Sequence, residues 1–172
     1  MVWVKPPKIA SKVFRDVIWN RSGNVKTVYL TFDDGPAPGV TPWVLSLLDS
    51  YGIKATFFCL GINAASNPNL VQRIYDEGHR VGSHGYCHLN GWKTKNETYS
   101  HDIREAAKIL NTKLFRPPYG KIKPSQIKSL KSDYEIVMWD VLSRDYDPKM
   151  TPEHCIKNVH ENVRNGSIIV FH

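Results

Sequence analysis

Val28-Tyr29-Leu30-Thr31-Phe32-Asp33-Asp34-Gly35-Pro36 decides how the chain is read. A β-rich apolar run ends in two carboxylates, and Gly35-Pro36 stops the strand. Neighbouring side chains on a strand point to opposite faces. Asp33 and Asp34 at a strand end can therefore do different jobs a few ångströms apart, one holding a metal while the other stays free as a base. A lone Asp-Asp-Gly more often solvates a turn, so the weight of the motif depends on what accompanies it.

About fifty residues on stands His79-Arg80-Val81-Gly82-Ser83-His84-Gly85-Tyr86-Cys87-His88, again a short strand running into ligand-type side chains. The spacing of His84 and His88 would put both on one face of a helix. Gly85 between them and the strand before them point instead to a tight loop. Two neutral imidazoles and one carboxylate are a common ligand set for a catalytic zinc, leaving positions open to water. Cys87 lies between the two histidines, which already supply enough donors.

Other strand ends carry polar groups too. Lys113-Leu114-Phe115-Arg116-Pro117-Pro118-Tyr119-Gly120 presents Arg116 before a rigid double proline. The run from Glu135 to Asp147 carries Asp140, Asp145 and Asp147, and Gly166–Phe171 is followed by His172. Asp140 and Asp147 read as solvated or capping residues. Titratable groups at the C-terminal ends of successive strands are the arrangement of an α/β barrel's active face.

Together, Thr31–Pro36, His84–His88, Arg116–Tyr119, Asp145-Tyr146 and Val170–His172 resemble the five ordered motifs of polysaccharide deacetylases, the family-four carbohydrate esterases. The resemblance spans Lys26 to His172. It implies a distorted (β/α) barrel of parallel strands and a metal-dependent hydrolase. That hydrolase would remove acetyl groups from an N-acetylated peptidoglycan- or chitin-like polysaccharide. It further implies Asp34, His84 and His88 as metal ligands, Asp33 as general base and Arg116 as its partner. The Tyr119 backbone N–H would be an oxyanion donor, and His172 a general acid oriented by Asp145. Zinc is the expected ion from the nitrogen-rich ligand set, with cobalt, nickel or manganese as substitutes. Leu142, Tyr146 and Val170 depart from the family pattern, where an acidic residue, tryptophan and leucine are usual. The last two alter the groove wall and leave the glycan open. O-deacetylation of a polysaccharide such as xylan, or a silent sugar-binding module, are the alternatives. A haloacid dehalogenase-type phosphatase would need its two aspartates separated by one intervening residue; here they are adjacent.

The chain has 172 residues and a formal net charge of +7. That length suits one domain with a proper core. The basic residues are scattered, with no arginine-rich helix or zinc-finger spacing, so nucleic acid is not the expected partner; an anionic polymer would feel the surface charge. Three cysteines without a CxxC pair argue against a disulfide framework. No stretch is apolar enough to span a membrane, and the first residues lack a signal-peptide pattern. The family implies the cell envelope, the cytoplasm stays open as the alternative, and a monomer is expected.

Strand patterns fall near 26–32, 55–60, 79–84, 113–116, 135–139 and 167–171. Helical periodicity falls over 41–51, with Thr41 as its cap, and over 68–77, 96–110, 124–130 and 152–163. Alternating β and α implies a parallel sheet with right-handed crossovers. Six strands fit an open sheet or an incomplete barrel equally. Against the family's seven, the last strand and helix are expected to be missing. Residues 1–25, with Trp3, Val13, Phe14, Val17, Ile18 and Trp19, read as a lead-in that caps the barrel, and 26–172 as the catalytic domain.

Overall fold

The structure, a computed structural model, describes residues 4–6, 14–21 and 23–172. Seven strands form one parallel sheet: β1 (Tyr29–Asp33), β2 (Thr56–Cys59), β3 (Arg80–Ser83), β4 (Leu114–Phe115), β5 (Glu135–Ile136), β6 (Val141–Leu142) and β7 (Ile168–Phe171). Their order is β5-β4-β3-β2-β1-β7-β6, so β1 lies near the middle with β2 and β7 beside it. The sheet curls into a half-barrel.

Between the strands run helices α1 (Thr41–Ser50), α2 (Gly61–Ser66), α3 (Pro68–Asp76), α4 (Asn96–Leu110), α5 (Pro124–Leu130) and α6 (Pro152–His160). Pro stands in the first turn of α1, α3, α5 and α6, where its missing N–H costs nothing. Helix α4 ends where Asn111 turns left-handed at φ 44°, a standard way to close the last turn.

Alternation along β1 assigns its two faces. Leu30 and Phe32 pack with Val44, Leu45 and Leu48 of α1 in the outer core. Thr31 and Asp33 are buried on the opposite, inner face. There Phe58, Val137 and Ile168 make a small inner cluster. A second outer core joins Tyr99, Ile103, Phe115, Ile127, Leu130 and Ile136. Burial of this apolar surface drives the assembly.

Several sequence expectations are corrected here. The sheet has seven strands, one more than the periodicity marks: Val141–Leu142, which precedes β7 in the chain, pairs with it at Val141↔Ile169 and Leu142↔Val170. It is two residues long and held by long-range pairing, which periodicity cannot register. Helix α2 is likewise additional; it is short, and its capping position, Leu60, offers no side-chain bond. Thr41 does not cap α1. The capping position is Val40, with no side-chain bond, and the Thr41 hydroxyl accepts from the Ala37 N–H at 2.8 Å. Asp140 is not solvated. It is buried, and its carboxylate accepts from Ile168 N, Ser167 Oγ and Arg164 Nε.

Of the lead-in, Trp3 and Val13 lie outside the described residues. Val17 is buried and belongs to the second outer core, with Phe14 and Trp19 packed against it. Ile18 donates to the Ile136 carbonyl and accepts from Met138 N, extending the sheet past β5.

Candidate active site

Five strands deliver a functional side chain at or just past their C-terminal ends. Asp33 is the last residue of β1 and buried. Asp34 follows in the left-handed region, at φ 70°. Simple alternation would send Asp34 to the outer face; this turn brings it back to the rim. Strand β3 delivers His84, whose N–H continues the ladder by donating to the Cys59 carbonyl. His88 comes four residues later, also left-handed at φ 57°. Arg116 follows β4, Asp145 follows β6 and His172 follows β7.

Asp34, His84 and His88 converge, each offering one ligand atom within 4.8 Å of the others. Asp34 Oδ1 lies 3.7 Å from His84 Nε2 and 3.3 Å from His88 Nε2. The far nitrogens are engaged elsewhere. His84 Nδ1 lies 2.8 Å from the Arg116 carbonyl, which can only accept, so Nδ1 carries a proton. Burial pushes the His84 pKa down, against the pull of Asp33 and Asp34. The neutral ring therefore presents a lone pair at Nε2. His88 Nδ1 lies 3.1 Å from the Tyr119 hydroxyl. Asp34 Oδ1 is shut off from solvent and has no hydrogen-bond partner, although the side chain as a whole is 45 % exposed. A buried carboxylate oxygen facing two ring nitrogens without a hydrogen bond is a costly arrangement unless a cation fills it. The residues fit a divalent metal. Cys87 is exposed and outside this group.

Asp33 does a separate job. Arg116 Nη1 donates to Asp33 Oδ1 at 2.7 Å and to Thr31 Oγ1 at 2.7 Å. Arg116 is completely buried. Its Nη2 donates to the Met138 carbonyl and its Nε to that of Val137, while its Cζ stacks 4.0 Å from the Phe58 ring centroid. Burial lowers its pKa, opposed by Asp33; a guanidinium stays cationic through such shifts. Asp33 Oδ2 is left facing the cluster, 4.0 Å from His84 Nε2.

On the other side, His172 Nδ1 lies 2.9 Å from Asp145 Oδ1, and the His172 N–H donates to Oδ2 at 2.8 Å. Ser143 Oγ donates to the same Oδ1. Burial lowers the His172 pKa, but the Asp145 hydrogen bond and the charges of Asp33, Asp145 and Asp34 outweigh it, and the net shift is upward. Tyr146 is half-exposed with its ring 4.7 Å from the imidazole. Asp33, Asp34, Asp145 and His172 line one cavity of about 310 Å³. Tyr119 sits in a short 3-10 turn, Pro118–Gly120, at φ 60°.

Two positioning residues escaped the sequence reading. Asp102 is buried on α4 and accepts from the N–H groups of Tyr86 and Cys87 at 2.8 and 2.9 Å. It thereby shapes the loop between the two histidines. Gly85 lies so close that an added Cβ would meet Asp102 Oδ2 at 2.7 Å. The signal was present: an aspartate on the stripe of Tyr99, Ile103, Ala106 and Leu110, where a carboxylate needs partners. Thr31 is the other. Its hydroxyl accepts from Arg116 and donates to the Ile169 carbonyl.

Comparison with known proteins shows the family. The polysaccharide deacetylase family profile matches residues 20–136. The chain belongs to the polysaccharide deacetylase family. Asp145 and His172 lie beyond the matched segment. A peptidoglycan-N-acetylglucosamine deacetylase of Bacillus cereus is 40 % identical over 156 residues, 87 % of this chain and 56 % of that protein. A chitooligosaccharide deacetylase of Azorhizobium caulinodans is 34 % identical over 158 residues, 87 % of this chain and 74 % of that one. The crystal structure of a peptidoglycan N-acetylglucosamine deacetylase, in complex with 4-naphthalen-1-yl-N-oxidanyl-benzamide, superimposes with a TM-score of 0.89 at 36 % identity. The match covers 97 % of this chain and 80 % of that one. The chain thus spans little more than half the length of the first of these relatives.

Proposed function

We propose that the chain is a metal-dependent N-deacetylase that hydrolyses the acetamido groups of a peptidoglycan- or chitin-like glycan to acetate and free amine. One observation carries this reading. A carboxylate–imidazole–imidazole cluster stands with Asp33 on one side and His172 on the other, and both flanking groups line the same cavity. A mere sugar binder has no need of such a matched pair. The peptidoglycan and chitooligosaccharide deacetylases among its relatives support the N-acetyl class.

Asp34, His84 and His88 would hold the divalent ion, with zinc favoured by two nitrogen donors. Such an ion, when bound, acidifies its water and polarises the acetyl carbonyl. Asp33 Oδ2 takes the proton from the attacking water, while Arg116 on Oδ1 keeps the carboxylate aimed. The Tyr119 backbone N–H donates to the oxygen on which negative charge develops. His172 then gives its proton to the departing sugar nitrogen, because an amide leaves only as the amine. Asp145 holds the ring in place for that transfer and helps it keep the proton.

Acetate release from N-acetylated chitooligosaccharides, peptidoglycan and acetylated xylan, each with added zinc, cobalt or a chelator, tests this. The expected result is metal-dependent release from the N-acetylated glycans. Preference for xylan would instead assign O-deacetylation, and release indifferent to chelation would remove the metal from the reading.

A further inference from the structure

The aromatic surface does not stop at the catalytic rim. Tyr119, half-exposed, has its ring 4.4 Å from the His88 ring. Lys121 Nζ lies 5.9 Å from the Tyr119 ring and 5.5 Å from that of Trp92. Trp92 is 61 % exposed. Large exposed aromatics are ordinarily disfavoured at a surface and mark recognition sites when they cluster.

Trp92 is also held in place. Its Nε1–H donates to the Ile122 carbonyl at 3.3 Å, and its backbone N–H is taken by Asn90 Oδ1. The loop that carries it is locked to the loop after Tyr119 by Gln126, which is completely buried and donates to the Gly91 carbonyl at 3.0 Å. Gly91 permits the contact, since an added Cβ would lie 2.3 Å from the Lys121 carbonyl. The core contributes a buried amide, and the sequence a glycine, to fix an indole that covers little of the core itself.

We propose that Trp92, with Lys121 beside it, forms a binding subsite for the sugar ring next to the one being deacetylated. The subsite rests on the glycan reading above and commits to one occupant, a second saccharide of the same chain. The apolar face of a pyranose packs on an aromatic face, and the Lys121 ammonium is placed to donate to its oxygens. Continuity with the site through Tyr119 makes a polymer, rather than a separate ligand, the occupant. Trp92 is a specificity residue here, not a catalytic one.

Steady-state kinetics on N-acetylglucosamine and on its tetramer, for the wild-type chain, Trp92→Ala and Trp92→Phe, provides the test. Binding of the same two sugars to each variant in an Asp33→Asn background gives affinity without turnover. Trp92→Ala should raise KM and Kd for the tetramer about tenfold, leave kcat within about twofold, and leave the single sugar unchanged; Trp92→Phe should restore most of the loss. Unchanged tetramer values, or an equal loss on the single sugar, would overturn the subsite while leaving the deacetylase reading intact. A wild-type chain that neither binds nor deacetylates either sugar would overturn both.

Discussion

Arg116 occupies one carboxylate oxygen of Asp33 and leaves the other free, with 2.7 Å to Oδ1 on one side and Oδ2 turned toward the Asp34–His84–His88 cluster on the other. The pair is almost fully buried. Removing one partner of such a pair strands the other's charge and costs about 3–5 kcal/mol. Arg116→Met should therefore lower the melting temperature sharply as well as abolish activity, and a thermal melt beside an activity assay checks both.

Asp33→Asn should separate the two aspartates. An amide cannot take a proton from water, so turnover should fall about 10²–10⁴-fold while metal binding persists. His84→Ala should lose metal affinity and activity together. Calorimetric titration with zinc or cobalt decides. Loss of metal binding in Asp33→Asn, with activity restored by excess metal, would mean that the roles of Asp33 and Asp34 are exchanged.

His172→Ala should cost about 10²–10⁴-fold in turnover on an amide, the usual scale for one acid–base group, with little change in substrate affinity. An activated ester, whose leaving group needs no proton, should be much less affected. Equal loss on both substrates would give His172 another role.

The pH dependence has a definite sign. The His172 pKa is raised above its ordinary 6.5, so the acid form persists further into the alkaline range, and activity declines only as pH passes the raised value. A bound cation opposes the contribution of Asp34; the Asp145 hydrogen bond is unaffected. Asp145→Asn should therefore shift the alkaline limb to lower pH. The same pairing stabilises the fold fully below pH 6.5 and progressively less as pH rises through the folded-state value. The difference in melting temperature between wild type and Asp145→Asn should accordingly shrink toward alkaline pH.

Asp102→Ala removes a buried acceptor from two backbone N–H groups. Leaving such groups unpaired costs about 1–3 kcal/mol each, and the loop carrying His88 loses its shape. Metal affinity should fall about 10–100-fold, as for other residues that orient ligands. Unchanged metal affinity in a folded Asp102→Ala protein would confine this aspartate to stability.

Much of this was legible because β1, β3 and β7 hand over to a titratable residue at or just past their ends, as Phe32 to Asp33 and Phe171 to His172. Local signals of that kind survive in the sequence. Val141–Leu142 did not register because its strand character comes from β7 and from Val4, whose carbonyl accepts from Leu142 N. The buried Asp140 was misjudged for the same reason. Its partners Arg164, Ser167 and Ile168 lie more than twenty residues away, and nothing adjacent announces them. Asp34's return to the rim depends on a backbone angle that alternation alone does not supply.

Asp34, His88 and Tyr119 all hold left-handed backbone, at φ 70°, 57° and 60°. Residues with a Cβ are penalised there, by about 1 kcal/mol or more apiece. A screen that rewards thermal stability alone would thus be drawn to glycine at Asp34 and His88, the two positions whose side chains the cluster cannot spare. Hardening this protein by directed evolution would require selecting for turnover in every round, because its tolerance for heat and its chemistry draw on the same residues.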